Sequence, residues 1–199
     1  MKKEKTRMNV VFLLDRSGSM RGSETDTIGG FNSYIEKNKD KDYLVTTILF
    51  DDQYERLYVQ KPIKEVKELT NKEYFVRGCT ALLDAIGKSI KYMEEKKSEK
   101  VMFVITTDGY ENSSREFSKE QIKELIQGHN TWEFIYIGAD IDSYKEGASI
   151  GIRESNIANY KKTAKGTKNM FGAVLCACEE YCEENYVGTS WKKELEKEE

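Results

Sequence analysis

Residues 8–19 read MNVVFLLDRSGS, an almost unbroken apolar run that changes abruptly into a polar loop. The run at residues 8–14 is rich in Val and Leu, which is typical of a parallel strand covered on both faces. The loop at residues 15–22 leads to Ser23, the expected N-cap of a helix over residues 24–39. This stretch therefore predicts a strand, a loop at its carboxyl end and a crossover helix.

The rest of the chain continues this alternation of strands and helices. Residues 43–50 and 54–59 are close enough to pair as a hairpin, which implies one antiparallel edge strand. Pro62 is expected in the connection that follows, and residues 64–72 are expected to form a short helix and loop. Further strands are predicted at 101–105, 132–137 and 155–160, and further helices at 80–96, 118–127, 142–150 and 167–186.

This order predicts an α/β fold with a doubly wound, mostly parallel central sheet, one antiparallel edge strand and helices on both faces. Sheets of this kind bind their ligands at the carboxyl ends of the strands, next to the point where the strand order reverses. The loops that follow the strands are therefore the places to look for a functional site.

The composition excludes several classes of function. Lys and Arg number 32 against 35 Asp and Glu, giving a formal net charge of -3, so nucleic acid is not an expected partner. Hydrophobic residues make up 38% of the 199 residues, which indicates a folded chain. No stretch approaches the roughly 20 apolar residues of a membrane-spanning helix, so no membrane partner is expected.

The length favours one domain with a single core, expected at residues 8–187. Residues 1–7 form a basic lead-in. The apolar run after them is too short for a secretory signal and ends at Asp15 without a small-residue cleavage site. Residues 188–199 form a charged C-terminal tail, and its Lys- and Glu-rich part at 191–199 is expected to be a solvated helical end.

The four cysteines, Cys79, Cys176, Cys178 and Cys182, give no disulfide framework. Without a signal peptide, a reducing cytoplasmic location is the expectation. On a helix Cys178 and Cys182 share a face while Cys176 points elsewhere, so the three do not easily surround one metal ion. We expect these cysteines to pack mostly as small hydrophobic side chains. The sequence leaves the oligomeric state open.

The first chemically informative loop reads Asp15-Arg16-Ser17-Gly18-Ser19. A carboxylate and two hydroxyl groups alternate along it, and Gly18 permits a backbone tight enough to bring them to one point. Carboxylate and hydroxyl oxygens are suitable ligands for a hard divalent cation.

Two further loops carry oxygen ligands of the same kind. Thr80 follows Gly78 and Cys79 just before the strongest helical pattern, so its hydroxyl could cap that helix or bind an ion. Asp108 lies in the stretch Thr106-Thr107-Asp108-Gly109 after a predicted strand. The Asp-Gly pair there is also compatible with an ordinary turn.

The pattern Asp-x-Ser-x-Ser, then Gly-x-Thr, then Thr-Asp-Gly resembles the metal-ion-dependent adhesion site of von Willebrand factor A domains, over roughly residues 8–187. The resemblance implies a Rossmann-like fold. It implies a cation held by hydroxyl groups of Ser17, Ser19 and Thr80, with Asp15 and Asp108 binding directly or through water. Mg²⁺ is the expected ion, and Mn²⁺ or Ca²⁺ suits the same ligands.

If the two carboxylates act through water, the cation keeps little direct anionic coordination and stays electrophilic. An Asp or Glu side chain of a partner protein can then replace a bound water and complete the shell. The expected function is therefore metal-dependent protein–protein interaction without catalysis.

The sequence leaves two other functions open. One is a Mg²⁺-dependent hydrolase or phosphotransferase that uses the same pocket. Against it, the only histidine, His129, lies where a helix is predicted to end, and Ser17 replaces the second Asp of an Asp-x-Asp phosphotransferase motif. The other is a scaffold that binds no ion.

Overall fold

The sheet of this protein has six strands in the order β3-β2-β1-β4-β5-β6, in a computed structural model that describes residues 7–196. The strands are β1 Met8–Asp15, β2 Tyr43–Phe50, β3 Tyr54–Pro62, β4 Val101–Thr107, β5 Glu133–Gly138 and β6 Ile157–Asn159. The helices are α1 Glu24–Lys37, α2 Leu82–Glu95, α3 Lys119–Gly128, α4 Ser143–Ser149, α5 Ala164–Glu184 and α6 Lys193–Glu196.

All neighbouring strands are parallel except β2 and β3, which pair antiparallel at one edge. This confirms the predicted fold class. The strand order runs outward in both directions from β1, so the order reverses between β1 and β4. Every residue of β1 and β4 is buried, as expected for central strands that are covered on both faces.

Two hydrophobic clusters cover the two faces of the sheet. On one face Val10 and Phe12 of β1 pack with side chains of α1 and α5. On the other face Val11 and Leu13 pack with side chains of α2 and α3. The alternation along β1 follows from the two-residue period of a strand.

Several boundaries differ from the sequence prediction. Pro62 is not in the connection after the hairpin but is the last residue of β3, where it pairs with Leu44. An edge strand tolerates proline because its outer N–H groups have no strand to bond. Residues 63–65 form a single 3-10 turn and a loop follows, which agrees with the short helix and loop predicted there. The first helix ends at Lys37, two residues before its predicted end.

The expectation that residues 191–199 are a solvated end is wrong for their first part. Trp191 and Leu195 are 2% and 3% exposed and belong to the same cluster as β1, α1 and α5. Lys192 is also buried, and its ammonium donates to the carbonyl oxygens of Glu154 and Ile157. Residues 197–199 and most of the predicted lead-in, residues 1–6, lie outside the described residues.

Candidate metal centre

Loops after β1 and β4 meet at the point where the strand order reverses. The first loop continues β1 through a 3-10 turn at Gly18–Met20, and the third begins directly after Thr107. The second loop, residues 78–81, is joined to the first by a hydrogen bond of 3.1 Å from the Gly18 amide to the Gly78 carbonyl. Gly78 has φ of +67°, a left-handed conformation that favours glycine.

Three hydroxyl groups from two of these loops converge. The Ser17 Oγ lies 3.1 Å from the Ser19 Oγ, and the Thr80 hydroxyl donates to the Ser17 Oγ at 3.0 Å. A Cβ placed on Gly109 would lie 2.9 Å from the Ser19 Oγ and 3.0 Å from the Thr80 Oγ1. The absent side chain of Gly109 therefore leaves space for the hydroxyl cluster against the third loop.

Thr80 does not cap α2, which answers the alternative left open by the sequence. The N-cap position is Ala81, and Glu111 Oε2 accepts a hydrogen bond of 3.0 Å from the Leu83 amide instead. The Thr80 amide donates to Asn112 Oδ1 at 2.9 Å, which fixes the backbone at this position. The hydroxyl of Thr80 is thus free to face the serines.

Asp15 is fully buried at the end of β1 and both of its carboxylate oxygens accept hydrogen bonds. The Ser17 amide donates to Oδ1 at 2.7 Å, and the Thr107 hydroxyl donates to Oδ2 at 2.5 Å. Burial raises the pKa of Asp15 to about 6, although the hydrogen bonds from Thr107 and Ser17 act in the opposite direction. Burial therefore favours the neutral form of Asp15 relative to an exposed aspartate, and a nearby cation would favour the ionised form.

The carboxylate of Asp108 is buried in a different way. Its side chain is 1% exposed, and no described donor makes a well-oriented hydrogen bond to either oxygen. Its close partner is the ammonium of Lys162, with Nζ 2.6 Å from Oδ2. The distance defines an ion pair even though the orientation does not make a good hydrogen bond. Buried carboxylates normally have their oxygens satisfied, so Asp108 is a candidate ligand for a cation.

Arg16, between Asp15 and Ser17 in the first loop, holds that loop in place. Its side chain is fully buried, and its Nε lies 3.1 Å from Asp51 Oδ2 while its guanidinium also pairs with Glu55 at 2.9 Å. Arg77 Nε binds the same Asp51 oxygen at 2.6 Å, and the Arg77 amide donates to the Arg16 carbonyl at 2.9 Å. These pairs fix the first loop to the turn between β2 and β3, to β3 and to the segment before residue 78.

The site reaches solvent on one side. Ser17 and Thr80 are 1% and 2% exposed, whereas Ser19 is exposed and Gly109 is partly exposed. The exposed Cys79 is next to Thr80 in the chain. A ligand can therefore approach the hydroxyl cluster past Ser19.

The residues present fit a hard divalent cation. They offer three hydroxyl oxygens, a buried carboxylate without a hydrogen-bond donor, and a second carboxylate whose oxygens are held by protein donors. These are oxygen ligands only, which suits Mg²⁺, Mn²⁺ or Ca²⁺ better than a soft metal. The structure brings Ser17, Ser19 and Thr80 into contact; metal coordination by these side chains remains a prediction.

Three residues at the site have roles that the sequence analysis did not assign. Thr107 lies in the stretch quoted for Asp108 but received no role, and it orients Asp15. Arg16 lies in the quoted loop but received no role, and it fixes that loop through Asp51 and Glu55. Lys162 gave no signal, because it follows the three-residue strand β6 and reaches the site only through the fold.

The cysteine cluster does not form an alternative metal site. Among residues 7–196 no group of three or more His, Cys, Asp or Glu side chains is placed to hold an ion. Cys178 is buried, Cys182 is partly buried and Cys176 is exposed. This agrees with the prediction that Cys176 points away from the other two. The expectation that the cysteines pack mostly as small hydrophobic side chains is wrong for the exposed Cys79 and Cys176, and only Cys178 packs fully in the core.

His129 lies far from the candidate site in the topology. It is the C-cap of α3, as predicted, and its ring stacks on Trp132 at 3.8 Å and hydrogen-bonds Glu94 at 2.9 Å. Trp132 immediately precedes β5, so His129 lies near the amino ends of the strands. The candidate site lies at their carboxyl ends.

No protein-family model matches this chain, and no curated protein matches it in sequence. Solved structures do match in fold. A von Willebrand factor type A structure from Catenulispora acidiphila superposes with a TM-score of 0.62 at 14% identity, covering 86% of this chain and 42% of that chain. The chain has a von Willebrand factor A-like fold.

Two other structures support this assignment of the fold. Proximal thread matrix protein 1 from the mussel byssus, with its metal-ion-dependent adhesion site occupied by zinc, matches at 16% identity and a TM-score of 0.61, covering 86% of this chain and 46% of that one. The PilB minor pilin from Streptococcus sanguinis matches at 10% identity and a TM-score of 0.68, covering 92% and 63%. The chain spans less than half the length of the mussel and Catenulispora chains.

The von Willebrand factor A-like fold places the site described above at its strand-order reversal. Within residues 7–196, no helix combines the length and the apolar character needed to cross a membrane.

Proposed function

We propose that this protein binds one divalent cation at the loops after β1 and β4 and uses it to bind an acidic side chain of a partner protein. One observation carries the proposal: three hydroxyl groups converge against Gly109, next in the chain to the buried Asp108, whose carboxylate accepts no well-oriented hydrogen bond from the described residues. Its close partner is the Lys162 ammonium at Oδ2, which makes no well-oriented hydrogen bond, and Oδ1 has no hydrogen-bond partner, so both oxygens are available to a bound cation.

The side chains at the site have different proposed roles. Ser17, Ser19 and Thr80 offer neutral oxygens, and Asp108 offers a carboxylate that no hydrogen bond orients away. Asp15 holds the Ser17 amide and is itself held by Thr107, so it fits a role through water better than a direct one. The bound cation would supply an electrophilic centre for a carboxylate from outside the chain.

Mg²⁺ is the cation we propose, because it prefers hard oxygen ligands and keeps several waters when it binds. Mn²⁺ has a similar preference and is a convenient probe. The mussel protein whose adhesion site holds zinc shows that a fold of this kind accepts a divalent metal in that protein. The oxygen-only ligands of the present chain argue for a harder ion.

The partner we propose is a protein that presents Asp or Glu, and the role is binding rather than catalysis. Ser19 on the open side of the site is exposed, so a carboxylate can approach. His129, the histidine that a hydrolase could use as a base, lies near the amino ends of the strands, away from the candidate site at their carboxyl ends. The net charge of -3 does not favour a nucleic acid partner.

The cation site is tested by calorimetric titration of Mg²⁺ and Mn²⁺ into the wild type and single variants. Asp108→Ala and Asp15→Ala should weaken binding at least about tenfold. Ser17→Ala should weaken it less, because a water can replace one hydroxyl. Asp40→Ala, an exposed aspartate in the loop before β2, is the control and should not change the affinity. Unchanged affinity in both Asp15→Ala and Asp108→Ala would refute the site.

The mode of action is tested separately by binding and turnover. An acidic partner should be retained in Mg²⁺, released by EDTA and not retained by Asp108→Ala. Cleavage of phosphoesters that requires Mg²⁺ and is lost in Asp15→Ala would instead establish an enzyme.

A further inference from the structure

Lys162 connects two of the three loops at the candidate metal centre. It lies just after β6, and its Nζ is 2.6 Å from Asp108 Oδ2 and donates a hydrogen bond of 2.5 Å to the backbone carbonyl of Ser19. The Lys162 side chain is 23% exposed, whereas that of Asp108 is 1% exposed. The Lys162 side chain is therefore in partial contact with solvent, whereas the carboxylate it pairs with is not.

The position of this ammonium matters because of what surrounds it. The hydroxyl groups of Ser17, Ser19 and Thr80 are neutral, so the charged groups among the proposed ligands are the carboxylates of Asp15 and Asp108, and the ammonium of Lys162 pairs with Asp108. An ammonium is a compact point charge that binds hard oxygen atoms. A divalent cation requires oxygen atoms of the same kind.

We propose that the Lys162 ammonium competes with the divalent cation for Asp108 and thereby sets the cation affinity of the site. The inference rests on the proposed cation binding and adds a regulator that the family resemblance did not supply. For the cation to take Oδ2, Lys162 must move away from that oxygen, and a cation on Oδ1 would be repelled by the nearby ammonium. Its flexible and partly exposed side chain can move into solvent, where the ammonium is fully hydrated.

A purely structural role for Lys162 makes the opposite prediction about cation binding. If Lys162 served only to hold the loops together, its loss would loosen the site and lower the affinity for the cation. If Lys162 competes with the cation, its loss leaves a more negative site and raises the affinity for the cation. The sign of the change in affinity therefore separates the two roles.

The first experiment measures the Mn²⁺ affinity of four proteins by calorimetry. Lys162→Met keeps the length of the side chain and removes its charge, and it should bind Mn²⁺ roughly tenfold more tightly than the wild type or better. Lys162→Arg keeps the charge and should stay within about twofold of the wild type. Lys161→Met removes a charge from the exposed neighbouring residue and should also stay near the wild type, because solvent screens that charge.

A second measurement guards against a folding defect in Lys162→Met. Thermal melting in EDTA should show a lower midpoint for this variant, because Asp108 loses its only close cationic partner among the described residues. On addition of Mn²⁺, the same variant should gain more in melting temperature than the wild type does. A smaller gain than in the wild type would overturn the competition.

The Asp108→Ala variant separates failure of this inference from failure of the proposed function. If Asp108→Ala binds Mn²⁺ like the wild type, the proposed cation site is wrong. If Asp108→Ala loses Mn²⁺ while Lys162→Met binds it no more tightly than the wild type, only the competition is wrong. The double variant should show no gain from Lys162→Met, since the contested carboxylate is gone.

Discussion

Gly109 lies against the hydroxyl cluster at a place where even one methyl group does not fit. Gly109→Ala would put a Cβ 2.9 Å from the Ser19 Oγ and 3.0 Å from the Thr80 Oγ1. The hydroxyl groups must move, so we expect the Mn²⁺ affinity to fall about tenfold, or about 1.4 kcal/mol. Calorimetric titration measures the change.

Gly128→Ala at the end of α3 is the matched control for Gly109→Ala, because a Cβ there meets no atom within 4 Å. Its Mn²⁺ affinity should equal that of the wild type. An unchanged affinity in Gly109→Ala as well would show that the cation does not lie against these hydroxyl groups.

The cysteines should differ in reactivity according to their burial. Burial raises the pKa of the Cys178 thiol to about 12, and the side chain is fully buried, so little thiolate forms at about pH 8 and no reagent reaches it. Cys79 is exposed. We expect iodoacetamide to modify Cys79 in the native protein and Cys178 only after unfolding, as measured by peptide mass spectrometry. Modification of both at equal rates in the native state would contradict the packing of α5.

At the scale of elements, adjacent glycines in α1 should have opposite effects on stability. A Cβ at Gly29 meets no atom within 4 Å, whereas one at Gly30 would lie 2.2 Å from Cδ2 of the buried Phe171 in α5. Gly29→Ala should therefore stabilise the protein by about 0.5–1 kcal/mol, because alanine loses less backbone entropy in a helix. Gly30→Ala should destabilise it by about 1–3 kcal/mol through overpacking.

Urea unfolding of the two glycine variants measures both changes in the free energy of unfolding. Each variant is the control for the other, since both add the same methyl group to the same helix. Equal effects would mean that α1 and α5 do not pack as described.

The elements that the sequence predicts well are those whose pattern is local. β1 and β4 are continuous apolar runs because both of their faces are covered, and α2 carries a clear apolar stripe. The end of β3 was harder to predict, because Pro62 is compatible with a strand only at the edge of a sheet, and the position of a strand in a sheet is not a local property.

The candidate site also combines residues that local sequence predicts with one that only the fold brings into contact. Asp15, Ser17 and Ser19 lie in one short loop, so their proximity could be predicted from spacing, and Thr80 and Asp108 joined them through the family resemblance. Lys162 could not be predicted, because its contact with Asp108 depends on β6 being placed next to β5 and on the loop after it.

At the scale of the whole molecule, the C-terminal segment packs against the core, although its composition is mostly charged. Trp191 is 2% exposed, packs in the cluster that includes β1 and α5, and donates from its indole Nε1 to the Ser155 carbonyl at 3.0 Å. Lys residues follow Trp191 and Glu residues flank Leu195 in the sequence, so the charged composition predicted a solvated end. The four-residue spacing of Trp191 and Leu195 is instead compatible with a short helix that packs on the domain.

Removal of the Trp191 side chain should therefore destabilise the entire fold. Trp191→Ala leaves a cavity in the core and an unsatisfied carbonyl at Ser155, so we expect a loss of about 3–5 kcal/mol in the free energy of unfolding. Lys193→Ala, an exposed residue two positions later, should change it by less than about 0.5 kcal/mol. Urea unfolding followed by circular dichroism measures both. A loss in Trp191→Ala no larger than that in Lys193→Ala would mean that the C-terminal segment is not part of the core, because a detached tail contributes nothing to the cooperative unfolding of the sheet.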